Sequence, residues 1–121
     1  QVYTGLYDRS EELYATMQGL SDSIESRSTQ YGQDVTALDA AIIAFNARAN
    51  AGSFVSAAAF NIERSQLVTR SQELDSRREA INADIATYET YYKEYQQIAS
   101  EIQVLNDSTD SFHQLEAAPS V

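Results

Sequence analysis

Cysteine and tryptophan are absent from the 121-residue sequence, and proline occurs once, at Pro119. Without cysteine, disulfides, thiolate metal sites and thiol nucleophiles are excluded. Because proline is the strongest helix breaker, the first 118 residues contain no obligatory break. Glycine is also scarce, with four residues, whereas a β-sandwich or barrel of this length needs many turn residues. The scarcity of both residues predicts few, long elements.

Positive charge is the next scarcity. The chain has 8 basic and 18 acidic residues, a formal net charge of −10, and a single lysine, Lys93. Phosphate binding needs clustered lysine and arginine, and anionic lipid attracts basic segments. No apolar run approaches the roughly 20 residues that span a bilayer. These absences argue against nucleic acid and membrane as partners.

The sequence begins at Gln1, without an initiator methionine or a signal peptide. We therefore expect it to be a processed or excised piece of a longer protein.

An apolar stripe with helical spacing runs through the first half of the chain. Ser10, followed by Leu13 and Tyr14, is typical of a helix N-cap, so residues 1–9 are expected to form a lead-in segment. Steps of three and four residues, with one step of seven across Arg27–Ser28, predict a helix over residues 10–50. The stripe consists of Leu13, Met17, Leu20, Ile24, Tyr31, Val35, Leu38, Ile42, Phe45 and Ala49.

The stripe stops at the segment Asn50-Ala51-Gly52-Ser53. Gly52 suits the left-handed residue that ends many helices, and Asn50 tolerates turn conformations. Ser56 is the better candidate to cap the following helix. The sequence therefore predicts a turn over residues 51–56.

A seven-residue repeat dominates the second half and predicts a helix over residues 57–107, followed by a flexible tail over residues 108–121. The repeat consists of Phe60, Leu67, Leu74, Ile81, Tyr88, Tyr95 and Ile102. Its companion position is mixed, and Ile98 and Leu105 extend the face. We assign Arg64, Ser71, Arg78, Ile85, Tyr92 and Ala99 to this companion position, which predicts a seam that is thin near the turn.

Two long helices joined by a short turn run antiparallel. The predicted fold is therefore an all-α, antiparallel two-helix hairpin or coiled coil. One stripe per helix buries little surface, so we expect dimerisation into a four-helix bundle, or packing against a neighbouring domain. The predicted interaction seam is Phe60, Leu67, Leu74, Ile81, Tyr88, Tyr92, Tyr95 and Ile102.

Four tyrosines, Tyr88, Tyr91, Tyr92 and Tyr95, form the most unusual local cluster. They suit either an exposed patch for a protein or glycan, or a wide packing seam. Aromatic residues at helical spacing usually pack, so we favour the seam, with the half of the chain around Tyr88–Tyr95 as the dimer contact and Tyr91 somewhat off the apolar face.

Catalytic and cofactor signals are weak. His113 is the only histidine, so a His-Glu-x-x-His zinc site is missing, and we interpret His113 as an ordinary tail residue. The carboxylates are spread along both helices like those of solvated faces. The basic residues Arg64, Arg70, Arg77 and Arg78 are expected to pair along the helix surface, as Glu73 with Arg70 and Arg77, and Asp75 with Arg78. We predict no catalytic residue, no cofactor and no metal.

The turn reads Phe45-Asn46-Ala47-Arg48-Ala49-Asn50-Ala51-Gly52-Ser53-Phe54 and is followed by Phe60-Asn61-Ile62-Glu63-Arg64. This pattern resembles a helical segment of bacterial exported proteins of the matrixin-like zinc metalloprotease group, with further likeness at Ile81-Asn82, at Tyr88 and in the ending Ala118-Pro119-Ser120-Val121. The family's zinc motif lies downstream of that segment and is absent here, so no site residue is carried over. The resemblance implies a secreted or cell-envelope location and a spacer beside a protease-like domain.

Three functional hypotheses follow. The first is a non-catalytic structural or interaction module that dimerises, spaces or regulates an attached domain. The second is a free-standing secreted hairpin effector or adaptor; such proteins often carry a Trp-x-Gly turn, and this chain has no tryptophan. The third is an enzyme with carboxylate chemistry, which needs a concave site that two helices do not supply.

Overall fold

Two long α-helices make up the part of the chain that the structure describes. The computed structural model describes the backbone of residues 2–117 and the side chains of residues 4–108. The first helix, α1, is Val2–Asn50, and the second, α2, is Ala57–Ala117. They pack against each other as a helical hairpin, and these described residues contain no strand. The predicted all-α hairpin fold is confirmed.

The start of α1 differs from the prediction. The helix begins at Val2 instead of Ser10, so the expected lead-in is helical from residue 2 onward and Ser10 does not cap it. Leu6 and Ser10 are both half-buried and continue the spacing of the packed stripe toward the N-terminus. Packing along this stripe outweighs the capping preference of Ser10, because long helices gain most of their stability from packing.

The end of α2 also differs from the prediction. The helix runs to Ala117, so the flexible tail expected from residue 108 is helical up to that residue. Ile98, Ile102 and Leu105 are buried or half-buried, so the packed stripe reaches to within two residues of the expected end, and the backbone stays helical beyond it. Pro119 and the side chain of His113 lie outside the described residues.

The turn follows the sequence signals closely. Gly52 has a φ of 66°, the left-handed conformation expected after a helix. The amide of Ser53 donates to the carbonyl of Arg48 at 3.0 Å, and the amide of Gly52 donates to the carbonyl of Ala49 at 3.2 Å. These two bonds form a Schellman motif, which satisfies carbonyl groups that the end of α1 leaves without a partner.

Ser56 caps α2. Its hydroxyl accepts a hydrogen bond from the backbone amide of Ala59 at 3.1 Å, and its carbonyl accepts one from the amide of Phe60 at 3.1 Å. The helix begins at the next residue, Ala57. Helix end and helix start are therefore both fixed by local chemistry within a six-residue turn.

The chain divides into two compact units, which are described separately. The terminal unit comprises Gln1–Asp22 and Ala86–Val121, and the turn unit comprises Ser23–Ile85. The buried side chains described in the structure are all apolar. They are Leu13, Met17 and Ile98 in the terminal unit, and Leu38, Phe45, Leu74 and Ile81 in the turn unit.

Three phenylalanine side chains pack together next to the turn between α1 and α2. The ring centroids of Phe45, Phe54 and Phe60 lie 5.0–5.2 Å apart in each pairing, within the range of favourable aromatic contacts. The guanidinium carbon of Arg48 lies 5.1 Å from the centroid of Phe54. Phe54 belongs to the turn itself, so the seam is thicker here than the helix sequences alone predict.

Two glycine substitutions are expected to change stability in opposite directions. Gly52→Ala forces a side chain into the left-handed region and should lower the free energy of unfolding by about 1–2 kcal/mol. Gly19→Ala lies inside α1, where an added Cβ meets nothing within 4 Å, and should raise it by about 1 kcal/mol. Urea unfolding followed by circular dichroism measures both. Equal effects of the two changes would contradict this account of the turn.

Candidate functional site

The predicted interaction seam lies mostly between the two helices of one chain. Leu74 and Ile81 are 8% and 7% exposed without any partner molecule. Phe60, Leu67, Tyr88, Tyr95 and Ile102 are half-buried, whereas Tyr92 is 45% exposed. Seven of the eight seam residues are thus covered at least in part within the hairpin, and Tyr92 is the member that stays accessible.

The companion position of the repeat was predicted one residue too late. The side chains three residues after each repeat position are mainly half-buried or buried, whereas those four residues after it are exposed up to Ala99. Tyr91 is therefore the packed tyrosine and Tyr92 the exposed one, the reverse of the expectation. The companion residues in the structure are Glu63, Arg70, Arg77, Asp84, Tyr91, Ile98 and Leu105.

Charged residues at these companion positions pair across the turn unit. Arg77 Nη1 lies 2.6 Å from Asp34 Oδ2. Arg27 forms an ion pair with Asp84, and Arg48 forms a forked one with Glu63. The predicted pairing of Arg77 with Glu73 is therefore replaced by a pair between helices, while Arg78 lies 3.9 Å from Asp75, as expected.

The three cross-helix pairs have one common register. From Arg27 to Asp34 the chain advances seven residues along α1, and from Asp84 to Arg77 it goes back seven along α2. The sequence separation between Asp34 and Arg48 on α1 is fourteen residues, and the separation between Arg77 and Glu63 on α2 is the same. The charges also alternate in sign along each helix, so each basic side chain meets an acidic one.

A slip of one repeat destroys this match. In one direction it sets Asp34 opposite Asp84 and Arg48 opposite Arg70. In the other it sets Arg27 opposite Arg77 and leaves only Asp34 opposite a base. The paired side chains are about one-third to one-half exposed, so each pair adds little stability by itself. Their alternation distinguishes the observed register from its neighbours, as charges do in coiled coils.

The surroundings of Asp34 favour its charged form. The Arg77 guanidinium, the Gln30 amide donating at 2.9 Å, and the nearby charge of Arg70 hold the pKa of this carboxyl below its usual value. A lowered pKa makes Asp34 a poor proton donor near neutral pH. The polar groove around Asp34, Arg70 and Arg77 therefore has the chemistry of an ion-pair network.

The terminal unit has a different seam, rich in tyrosine. The rings of Tyr14 and Tyr95 lie 6.4 Å apart, and those of Tyr88 and Tyr92 stack at 6.4 Å with an interplanar angle of 8°. Tyr14 is 54% exposed, and its hydroxyl accepts a hydrogen bond from Gln18 Nε2 at 3.0 Å. Each of the two exposed rings, Tyr14 and Tyr92, therefore contacts the ring of a half-buried tyrosine.

Arg9 supplies the ion pair between helices in this unit. Its Nε lies 2.7 Å from Glu94 Oε2, and its Nη1 lies 3.5 Å from Glu12 Oε2. The hydrogen bond to Glu94 is the main cause that raises the pKa of Arg9 above its usual value. This base is engaged by two carboxylates of its own chain.

The part of the chain that the structure describes has no group of three or more metal-ligating side chains that would hold an ion. Neither helix contains, over its described length, a stretch apolar enough to cross a membrane. An open groove runs along α2 beside Ile62, Thr69 and Arg70, all on one helix.

No family model, curated protein or solved structure matches the chain. The resemblance to a segment of matrixin-like exported proteins therefore stays a prediction.

The residues that sequence reasoning missed are the charged members of the seam. Arg27 lies in the double step of the α1 stripe, where an apolar side chain was sought. A search for opposite charges repeating at seven-residue steps in both helices would have found Arg27, Asp34, Arg77 and Asp84. The prediction assigned Tyr92 instead of Tyr91 to the packed face because both spacings from Tyr88 occur on a helix face. Tyr91 follows Tyr88 by three residues, and Tyr92 follows it by four.

Exchanging the charges of one cross-helix pair tests the register. Asp34→Arg places two guanidinium groups together and should lower the midpoint of thermal unfolding, as should Arg77→Asp. The double variant restores opposite charges and should recover most of the loss. Thermal circular dichroism of the four proteins completes the cycle. Losses that simply add in the double variant would show that the two side chains do not interact.

A pH dependence follows from Asp34. Because its pKa is lowered in the folded state, the stability that its charge contributes is fully present above the usual value of about 3.9 and is lost as the pH falls through the lowered pKa. Asp34→Asn should therefore be less stable than the wild type at pH 7, and the difference should shrink as the pH falls below about 3.9. Asp39→Asn, which removes an exposed carboxylate of the same helix, controls for net charge. A difference that does not shrink as the pH falls through the acid range would contradict the assignment.

Proposed function

We propose that this chain is a non-catalytic helical-hairpin module that works in protein–protein assembly, and that it associates with a second copy of itself. The structural support is a lack of buried surface. Seven apolar side chains are buried in the described residues, spread over two helices of 49 and 61 residues. Helices of this length depend on packing for their stability, so further burial against a partner is favourable.

The accessible surface carries this proposal. The chain exposes 8789 Å² for a mass of 13.4 kDa. A compact monomer of that mass exposes about 6500 Å². The excess, about 2,300 Å², is larger than the roughly 800 Å² that one partner buries in a stable protein–protein interface.

The turn unit is the better location for self-association. Residues 23–85 contain eight acidic and six basic residues, a net charge of −2. Ile43 and Ile62 are 69% and 62% exposed there, and Val68 is also exposed. The tyrosine half was the expected dimer contact, but Tyr88 and Tyr95 already pack inside the hairpin. Near-neutral charge and exposed aliphatic side chains favour contact between identical copies.

The setting of the module remains open to test. The resemblance to matrixin-like exported proteins leads us to propose a spacer or assembly element beside a metalloprotease-like domain, in a secreted or cell-envelope location. The alternative is a free-standing secreted hairpin effector or adaptor. A parent reading frame with a His-Glu-x-x-His motif downstream would favour the spacer, and a short frame ending near Val121 would favour the adaptor.

Sedimentation velocity over a wide concentration range tests self-association. We expect a concentration-dependent dimer with strongly helical circular dichroism. Ile43→Lys/Ile62→Lys should weaken the dimer, because it places charge on the exposed aliphatic surface of the turn unit. Val104→Lys, which alters an equally exposed aliphatic residue of the terminal unit, is the control and should leave the dimer intact. A helical chain that stays monomeric at the highest concentration would refute self-association.

A further inference from the structure

We propose that the terminal unit carries a docking surface for a cationic, arginine-rich segment of a partner protein. The surface consists of the exposed tyrosines Tyr7, Tyr14 and Tyr92 with the carboxylates Glu11 and Glu89. The inference rests on the proposed role in protein assembly, and it is independent of self-association through the turn unit.

The exposed aromatic surface is the first observation. Tyr7, Tyr14 and Tyr92 are 43%, 54% and 45% exposed. The rings of Tyr14 and Tyr92 lie beside those of Tyr95 and Tyr88, each at a centroid separation of 6.4 Å. A neighbouring ring restricts the positions that a side chain can take, which lowers the entropy lost when a ligand binds. Tyrosine faces attract guanidinium and ammonium groups through their π-electrons.

The neighbouring carboxylates are the second observation. Glu11 follows Tyr7 by four residues and precedes Tyr14 by three, so the three side chains share one face of α1. Glu89 precedes Tyr92 by three residues on α2. Both glutamates are exposed, and the ion pairs among the described side chains involve neither of them. Each therefore places an exposed carboxylate outside the observed ion pairs and on the same helix face as an accessible ring, with Lys93 one helical turn after Glu89.

The net charge of the terminal unit favours a cationic partner segment. Residues 1–22 and 86–121 contain ten acidic and two basic residues, a net charge of −8, against −2 in the turn unit. Of these two basic residues, Arg9 forms ion pairs with Glu94 and Glu12. Lys93 is exposed and takes part in none of the observed ion pairs. A second copy of this surface would be repelled, whereas a basic segment is attracted. Arginine matches both features, since its planar guanidinium stacks on rings and forks onto carboxylates.

The test uses the full chain and a fluorescent peptide of alternating arginine and glycine, with a glutamate–glycine peptide as the negative control. Fluorescence anisotropy at low salt should show saturable binding of the arginine peptide alone, weakened at high salt by screening. Tyr14→Ser/Tyr92→Ser keeps the net charge and should weaken binding by about tenfold. Ile43→Ser/Ile62→Ser removes two exposed apolar side chains from the turn unit and should not change it.

Two charge variants separate a defined surface from general attraction. Glu11→Gln/Glu89→Gln and Glu73→Gln/Glu79→Gln each remove two negative charges, but the second pair lies in the turn unit. We expect the first pair to weaken binding several-fold more than the second, with circular dichroism showing that every variant is folded. Equal effects of the two pairs, unchanged binding by the tyrosine variant, or no binding at low salt would each overturn the proposal. Sedimentation of the same samples shows separately whether self-association is intact.

Discussion

The packing of one narrow stripe of each helix against the other is the constraint on which this structure depends. Among the side chains that the structure describes, the seven buried ones are all apolar and lie along α1 and α2. Helices of this length are not stable in isolation without packing. Local interactions in the turn fix one end of that stripe. The Schellman motif at Gly52, the cap at Ser56 and the three phenylalanine rings fix where the chain reverses, so the stripes face each other from the turn onward.

A repeat of seven residues has a weakness, because the two stripes also match after a slip of one repeat. The turn unit counters it with charge: Arg27, Asp34 and Arg48 meet partners of opposite sign at matching steps, and either slip brings like charges together. The terminal unit relies more on aromatic packing, around Tyr88, Tyr91 and Tyr95. Consequently the turn unit is nearly neutral, whereas the terminal unit keeps most of the net negative charge and its exposed tyrosines. We propose that this division of chemistry also separates two kinds of partner.

The sequence predicted the elements that depend on strong local signals or on hydrophobic spacing. Gly52 marked the turn because few other residues suit its left-handed backbone conformation, and Ser56 because its hydroxyl can accept a hydrogen bond from a free amide at the helix start. The repeat from Phe60 to Ile102 identified the packed face. The outer helix ends were misjudged at Ser10 and at residue 108, since polar residues were taken as boundaries although the helices continue past them. At Ser10 the packed stripe also extends outward, to Leu6. The exchange of Tyr91 and Tyr92 has a related cause. Four of the seven companion residues are charged, and their role becomes visible only when the sequences of the two helices are compared with each other.

The central claim is that the two helices of the turn unit pack in the register that the ion pairs define. The chain has no cysteine, so introduced cysteines report this register directly. Ala41 lies midway between Asp34 and Arg48, and Arg70 lies midway between Glu63 and Arg77. Ala41→Cys is combined in turn with cysteine at position 63, 70 or 77, and the rate of intramolecular disulfide formation is measured under mild oxidation. The account predicts the fastest closure at position 70. Faster closure at position 63 or 77 would contradict it.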